Sequence, residues 1–447
     1  MTAGADLVTR IDDWLDRNHS GSAAIALGYS GGGDSHALLC ITANWAHRRG
    51  VELHALIVDH GLRVESHAEA CLAVEAAQGL GAQASLLSWQ GDKPATGVQA
   101  AARQARHVLL AQACRARNIN HLLLAHTADD QAETVWMRLQ AGGGWRSCAA
   151  MGEQAPSPVW PQGRGIEMLR PLLGVRRAEL RAFLIEAGER WIDDPSNEDT
   201  HYTRIRTRQR LATLEQAGFD PGQLTGWAHD IAAIDRSERR AVEVCSRDIV
   251  RFHAWGGAEL DIEQFAKAQP AIRRRLVQAL ALAIAGRTAP PSRAALDGLV
   301  DSVLNRRPGS AAGVQTIIWR GASWMFRDPG GVLGRVDHPG RNFARLLQNT
   351  AHIWDGRYEI ETSLVNIIAE PLGKAYKGIG DRGDLDLVPG AARSGLLALR
   401  CEGEVLAIAG VRPHPQLRVL PLIEHRYCTG LLCGATLTQG EGHPALA

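Results

Sequence analysis

Two stretches of this chain gather residue types that could act on a charged, phosphate-bearing molecule. The first is Ser30-Gly31-Gly32-Gly33-Asp34-Ser35. Consecutive glycines let a backbone approach an anion closely and reach φ > 0 without a Cβ clash. The apolar run 23–27 leads into them, and His36-Ala37-Leu38-Leu39-Cys40-Ile41 leads out with helical spacing. The N–H groups of such a turn, with the positive end of the following helix, make a phosphate or oxyanion cradle. Ser30 and Ser35 add hydroxyls at its rims. Asp34 does not suit a site built for anions alone, and points to a metal ion or a cationic substrate. The second stretch is His126-Thr127-Ala128-Asp129-Asp130-Gln131-Ala132-Glu133-Thr134. Asp129 suits the start of a helix, where a carboxylate is favourable with the macrodipole. Asp130 and Glu133 are three apart and share one helical face. With Asp34 they would form an acidic pocket beside the cradle, and such a pocket needs a cation: Mg²⁺, an amine, or both.

Other motifs compete for these residues. A Walker loop needs Gly-Lys-Ser/Thr, but Gly373-Lys374 is followed by Ala375. Gly378-Ile379-Gly380-Asp381-Arg382-Gly383 fits the dinucleotide fingerprint, yet no apolar strand precedes it, and it reads as a polar loop. Gly28-Tyr29-Ser30-Gly31-Gly32 fits a hydrolase nucleophile elbow. An elbow serine follows several strands and an upstream oxyanion loop, whereas only about one helix and one strand precede Ser30. A glycine-rich turn without a ligand is the plainest alternative.

The elements needed to position these residues are legible around them. Leu7, Ile11, Trp14 and Leu15 mark an amphipathic helix ahead of the first strand. Residues 51–60 and 82–89 read as strands, 65–80 and 98–118 as helices. The continuously apolar run 121–126 suits a strand buried in a parallel sheet. Residues 129–140 form the next helix, 166–173 a last strand, and 176–187 a helix. Asp193-Asp194-Pro195-Ser196-Asn197 reads as a turn, and 202–216 as a basic helix. Strands alternating with helices predict an α/β, doubly wound parallel sheet, in which ligands bind beyond the carboxyl ends of the strands. The glycine loop, Asp59-His60 and His126 all fall there. Residues 142–165, rich in Gly and Pro, read as a mobile loop.

Beyond residue 217 the pattern changes to helices over 223–305, with a hairpin around Arg320-Gly321-Ala322. Short apolar runs at 358–361, 385–388, 396–400 and 405–409 then predict a small α+β end domain. The boundaries expected are 1–216, 217–340 and 341–447. With 447 residues, 45% hydrophobic and 22% charged, the chain can bury real cores. It has no apolar run long enough for a membrane span and no secretory-signal pattern at its start, so the expectation is cytoplasmic with no membrane partner. Eight cysteines occur without any C-x-x-C spacing and read as buried or free thiols rather than disulfides or a zinc site. The formal net charge of +1 offers no bulk attraction for nucleic acid, so any such binding depends on local arginines.

The S-G-G-x-D-S pattern resembles the pyrophosphate (PP) loop of ATP pyrophosphatases, whose domains have an adenine nucleotide alpha hydrolase-like fold. With H-x-x-D-D-Q-x-E-T downstream, the chain is similar to the tRNA(Ile)-lysidine synthetase family. Val58-Asp59-His60-Gly61-Leu62-Arg63, Ala102-Arg103-Gln104-Ala105-Arg106, Leu169-Arg170-Pro171-Leu172-Leu173, and Asp194-Pro195-Ser196-Asn197 followed by Arg204-Ile205-Arg206 add to the likeness. Trp354-Asp355-Gly356-Arg357 extends it weakly into the C-terminal half.

The resemblance implies that ATP adenylates the C2 oxygen of the wobble cytidine in a CAU-anticodon tRNA(Ile). The ε-amine of free L-lysine then displaces AMP. It implies an ATP site at Ser30, Gly31, Gly32, Gly33, Asp34, Ser35, His60, Arg106 and His126. Catalysis falls to Asp34, Arg106, His126, Asp130 and Glu133. Lysine is held by Asp34, Asp130, Glu133 and Arg206, and Mg²⁺ by Asp34 and Asp130. Arg204, Arg206 and Arg208 contact tRNA, with two tRNA-binding domains after residue 216. The oligomeric state stays open, a homodimer being one option.

Three departures from the family pattern stand out. Thr127 replaces a second His, so no role for that imidazole carries over. Thr207 and Leu211-Ala212-Thr213 replace the usual end of the basic helix, and Cys148-Ala149-Ala150-Met151 replaces a glycine-leucine repeat. A tRNA thiolase, the nearest alternative, would be expected to carry paired cysteines. A catalytically dead RNA-binding scaffold would have no reason to keep the acidic pocket.

Overall fold

The computed structural model describes residues 3–19, 23–94, 96–142, 144–192, 203–335, 338–339, 343–379 and 383–432. The chain divides into two compact units, one up to Asp235 and one from Arg236.

The first unit is built on a six-stranded sheet. Its strands are β1 (Ala24–Tyr29), β2 (Glu52–Asp59), β3 (Gln83–Ser88), β4 (His121–Leu123), β5 (Gln154–Pro156) and β6 (Glu167–Leu169). Their order is β3-β2-β1-β4-β6-β5. All neighbours pair in parallel except β5, an antiparallel edge strand on β6. The strand order reverses between β1 and β4, the switch point where open α/β sheets bind ligands. β1 is flanked by β2 and β4, and Ile25, Ala26 and Leu27 are fully buried, as a central parallel strand requires.

The helices are α1 (Ala3–Asn18), α2 (Gly33–Arg49), α3 (Ser66–Gly79), α4 (Val98–Ala116), α5 (Ala128–Gln140), α6 (Arg177–Glu186), α7 (Thr203–Gln216) and α8 (Gly222–Ile249). Leu7, Ile11 and Leu15, spaced by four, put one face of α1 into the core with β1 and α2. The expected strand 166–173 is shorter, because Arg170 and Pro171 lead directly into a turn. The stretch 142–165, expected to be mobile, carries a 3₁₀ turn (Trp145–Ala149) and strand β5. Gln131 of α5 holds it: its amide donates to Met151 O (2.7 Å) and accepts from Met151 N (2.9 Å). The expected turn at Asp193–Asn197 lies outside the described residues.

In the second unit, helices α9 (Ile262–Lys267), α10 (Pro270–Ala285) and α11 (Arg293–Leu304) accompany an antiparallel sheet. The expected hairpin is present: 314–319 pairs with 322–327, and Arg320 and Gly321 both have φ > 0, as a two-residue turn demands. The strand-rich end is also present, except that 383–387 is a 3₁₀ turn. Trp354-Asp355-Gly356-Arg357 forms a buried strut there, with Asp355 accepting from Arg327 (3.1 Å) and Arg357 (2.8 Å). Among the described residues no helix is long and apolar enough to cross a membrane.

Candidate active site

The glycine loop leaves β1 and opens α2, as its spacing predicts. Only Gly31 of the three glycines has positive φ (80°). Gly33 is needed for space, since a Cβ there would lie 3.3 Å from the Trp191 indole. Ser35 braces the loop from inside: its Oγ donates to Gly32 O (2.9 Å) and lies 3.0 Å from Ser30 Oγ. Ser30 remains exposed at the rim.

On one side of this loop lies a basin of cationic and imidazole groups, whose neighbouring acid Asp59 is taken up by Gly61 N, Ser66 and His67. Arg106 of α4 reaches the end of β1, where its Nη2 would stand 3.7 Å from a Cβ on Gly28. It has no hydrogen-bond or ion-pair partner among the described residues. Burial, then the neighbouring Arg103, pull its pKa down to about 10. His60, just beyond β2, and His126, beyond β4, each bury an Nδ1 that has no partner among the described residues. Burial and nearby arginines push the pKa of both below the usual imidazole value, for His126 well below. Both are therefore neutral at pH 7, so His126 offers a hydrogen bond rather than a positive charge. Unpaired buried donors at a switch point are what an anionic ligand would satisfy.

On the other side the acids are saturated. Thr127 is the N-cap of α5, and Asp130 completes a capping box with it. Thr127 N donates to Asp130 Oδ2 (2.8 Å), and Asp130 N donates to Thr127 Oγ1 (3.3 Å). The cap is thus Thr127, not Asp129. Asp129 instead accepts from the Arg177 backbone N–H (2.7 Å) and Arg176 Nε (3.3 Å), fixing the start of α6. Arg177 bridges the site: its Nε donates to Asp34 Oδ2 (2.9 Å) and its Nη2 to Asp130 Oδ1 (3.0 Å). Arg204 donates to Asp130 Oδ1 (3.1 Å) and Glu133 Oε2 (2.8 Å), and Arg208 to Glu133 Oε1 (2.8 Å). The Glu133 side chain is only 2% exposed, so this pairing keeps a buried charge in place. The Asp34 pKa is raised, chiefly by burial; Arg177 pulls it down, and the charges of Asp130 and Asp129 add to the rise.

A Mg²⁺ shared by Asp34 and Asp130 does not fit this arrangement. Asp130 Oδ1 accepts from two guanidiniums, and Oδ2 from the Thr127 N–H and hydroxyl (3.1 Å). A carboxylate has about four lone-pair sites, and these four are taken.

The structure brings Asp34, Asp130 and Glu133 into one cluster, and Arg106, His60 and His126 into another. Arg206 belongs to neither. It is exposed, donates to Thr203 Oγ1 (3.1 Å), and with Arg210, Trp136 and Gln140 lines a separate groove of about 760 Å³. Sequence reasoning missed Arg176 and Arg177. Their one local signal is a pair of cations at the mouth of a helix, where the macrodipole disfavours them unless acids lie near.

A parallel sheet with a glycine loop at its switch point, matched over residues 6–215 by the PP-loop domain family, places the chain among PP-loop proteins. The tRNA(Ile)-lysidine synthase of Hyphomonas neptunium is 38% identical over 285 residues, covering 63% of this chain and 74% of that one. That of Rhodopseudomonas palustris is 37% identical over 300 residues, covering 65% and 84%. That of Caulobacter vibrioides is 47% identical over a shorter 196 residues, 43% and 47% of the two chains. The chain belongs to the tRNA(Ile)-lysidine synthase family.

Proposed function

We propose that this protein is a ligase that forms lysidine on tRNA(Ile) bearing a CAU anticodon, using ATP and free L-lysine. The observation that carries this is the pairing, at one sheet end, of a basin of arginine and imidazole groups with a carboxylate cluster held by arginines. ATP phosphates lie on the N–H groups of the glycine loop, with Arg106, His60 and His126 supplying the donors the basin leaves unpaired. The wobble cytidine is splayed from the anticodon loop, and its C2 oxygen attacks the α-phosphorus, releasing diphosphate. Adenylation is required because an amide-like oxygen is a poor leaving group.

Free lysine's ε-amine has a pKa of about 10.4 and enters as a cation, so it must lose a proton before attack. Asp34 is the base in this reading: its raised pKa suits it to that proton better than an ordinary aspartate. Arg177 occupies the cation position between Asp34 and Asp130. Its guanidinium moves to the nucleotide's phosphates, which frees Asp34 Oδ2 and one acceptor site on Asp130 Oδ1 for the ammonium. Mg²⁺ accompanies ATP in this reading without sitting between Asp34 and Asp130. The tRNA backbone runs past Arg206 and Arg210, since Arg204 and Arg208 are committed to the acids.

The test is incubation with ATP, labelled lysine and total tRNA, followed by nucleoside analysis. Label in a modified cytidine of tRNA(Ile) is expected. Diphosphate release with no lysine transferred would overturn the acceptor assignment.

A further inference from the structure

The segment leaving α6 holds the phosphate loop from behind, and a cluster of mixed donors lies where it does so. Ile192 N donates to Gly31 O at 3.0 Å. The side chains of Ile192 and Trp191 press on Gly31 and Gly33 so closely that a Cβ would lie 2.8 and 3.3 Å from them. Three residues upstream of Ile192, Glu189 Oε2 meets His36 Nε2 at 3.1 Å. His36 is in the first turn of α2, and Cys40 stands one turn further along the same face. A ring nitrogen of His36, the Cys40 sulfur and a Glu189 carboxylate oxygen all lie within 4.8 Å of one another. Among the described residues no other group of three His, Cys, Asp or Glu side chains meets in this way.

The remaining imidazole nitrogen is already placed. His36 Nδ1 lies 2.9 Å from the buried Tyr29 hydroxyl. With Nδ1–H donating to that oxygen, the Nε2 lone pair is left to ligate a metal beside the carboxylate; without a metal the opposite tautomer, with Nε2–H donating to Glu189, satisfies the same contacts. A metal-bound histidine has this same second contact, its far N–H held by an oxygen. The donor set of nitrogen, sulfur and oxygen is that of zinc, whereas Mg²⁺ takes oxygen ligands and keeps its waters. Cys40 and His36 are 6% and 2% exposed, while the Glu189 side chain is 35% exposed and gives a path in.

We propose that His36 Nε2, Cys40 Sγ and Glu189 bind one zinc-class divalent cation, with water as fourth ligand, and that this ion latches residues 189–192 onto α2. Binding replaces the Cys40 thiol proton, which leaves to buffer. The i, i+4 pair His36 and Cys40 escapes a search for C-x-x-C spacing because its third donor is 153 positions away from His36.

The probe is Co²⁺, titrated into the full-length protein after treatment with a chelator, followed by Zn²⁺. One equivalent of Co²⁺ should produce a near-ultraviolet thiolate-to-cobalt charge-transfer band, which Zn²⁺ then removes. Cys40→Ser should abolish the band. Cys71→Ser should keep it, although Cys71 also has a histidine, His67, 3.8 Å from its sulfur. Tyr29→Phe should weaken Co²⁺ binding by about 10- to 100-fold, the usual effect of losing such a contact. Should Cys40→Ser fail to fold, Glu189→Gln, which alters a partly exposed side chain, decides: Co²⁺ affinity must fall at least about 10-fold. No band in the wild type, or unchanged affinity in Glu189→Gln, overturns the proposal. These readouts do not involve tRNA or lysine, so their outcome stands apart from that of lysidine formation.

Discussion

The two sides of the phosphate loop differ in how completely their polar groups are satisfied. In the basin, Arg106, His60 and His126 are half-buried, and the Nδ1 atoms of both histidines have no partner among the described residues. In the acid cluster, every carboxylate oxygen of Asp130 and Glu133 accepts from a cation or a capping group. Both are stable at the local level for different reasons. Neutral imidazoles in the basin carry no charge to be paired, whereas the acids of the cluster are held by arginines and a capping group, because a buried carboxylate is costly without partners. The basin can receive a ligand as it stands. The cluster has no such opening: a cation entering it would have to displace a guanidinium already in place.

The comparison can be broken at each side. The largest effect is expected for Asp34→Asn, which removes the proposed base while keeping the shape of the loop. Lysine transfer should fall by about 10²- to 10⁴-fold, read as labelled tRNA alongside unchanged circular dichroism. Near wild-type turnover would remove Asp34 from the chemistry.

Next comes Glu133→Ala, which strands Arg204 and Arg208 beside a buried hole. Breaking such a pair costs about 3–5 kcal/mol, to be read from denaturant midpoints. A loss below about 1 kcal/mol would mean the pairs behave as exposed surface bridges.

On the basin side, Arg106→Ala should raise the ATP KM about 10- to 150-fold, from a loss of about 1.5–3 kcal/mol, and leave the lysine KM unchanged. Equal effects on both substrates would dissolve the distinction between the two regions.

A smaller effect tests the bridge between them. As the proposed base Asp34 works ionised, and its raised pKa sets the acid limb of the kcat/KM profile, which reports the free enzyme, above the ordinary aspartate value of 3.8. Arg177 lowers that pKa, so Arg177→Gln should move the limb to higher pH. A limb that stays put belongs to another group.

The smallest effect concerns tRNA. Arg210→Ala should flatten the slope of log K against log salt by about 0.7–0.9, the contribution of one phosphate contact. Arg208→Ala, whose guanidinium is spent on Glu133, should lose stability instead.

Much of this was legible along the chain. Strand, glycines and helix around Ser30, and Asp130 with Glu133 on one helical face, follow from local periodicity and from where a backbone can turn. Helical spacing likewise showed that Arg204 and Arg208 share a face and that Arg206 and Arg210 share another. It could not say which face met the acids, because that depends on how α7 packs against α5. The structure turned Arg204 and Arg208 inward, although the sequence likeness pointed to Arg206. Arg177 was hidden for the same reason: its partner Asp34 is 143 positions away, and no local pattern encodes an ion pair between helices brought together only by packing. Local sequence determined which backbone could cradle a phosphate and which carboxylates stood together. The tertiary structure alone decided which cations neutralise those carboxylates, since burial makes pairing obligatory but only packing selects the partner.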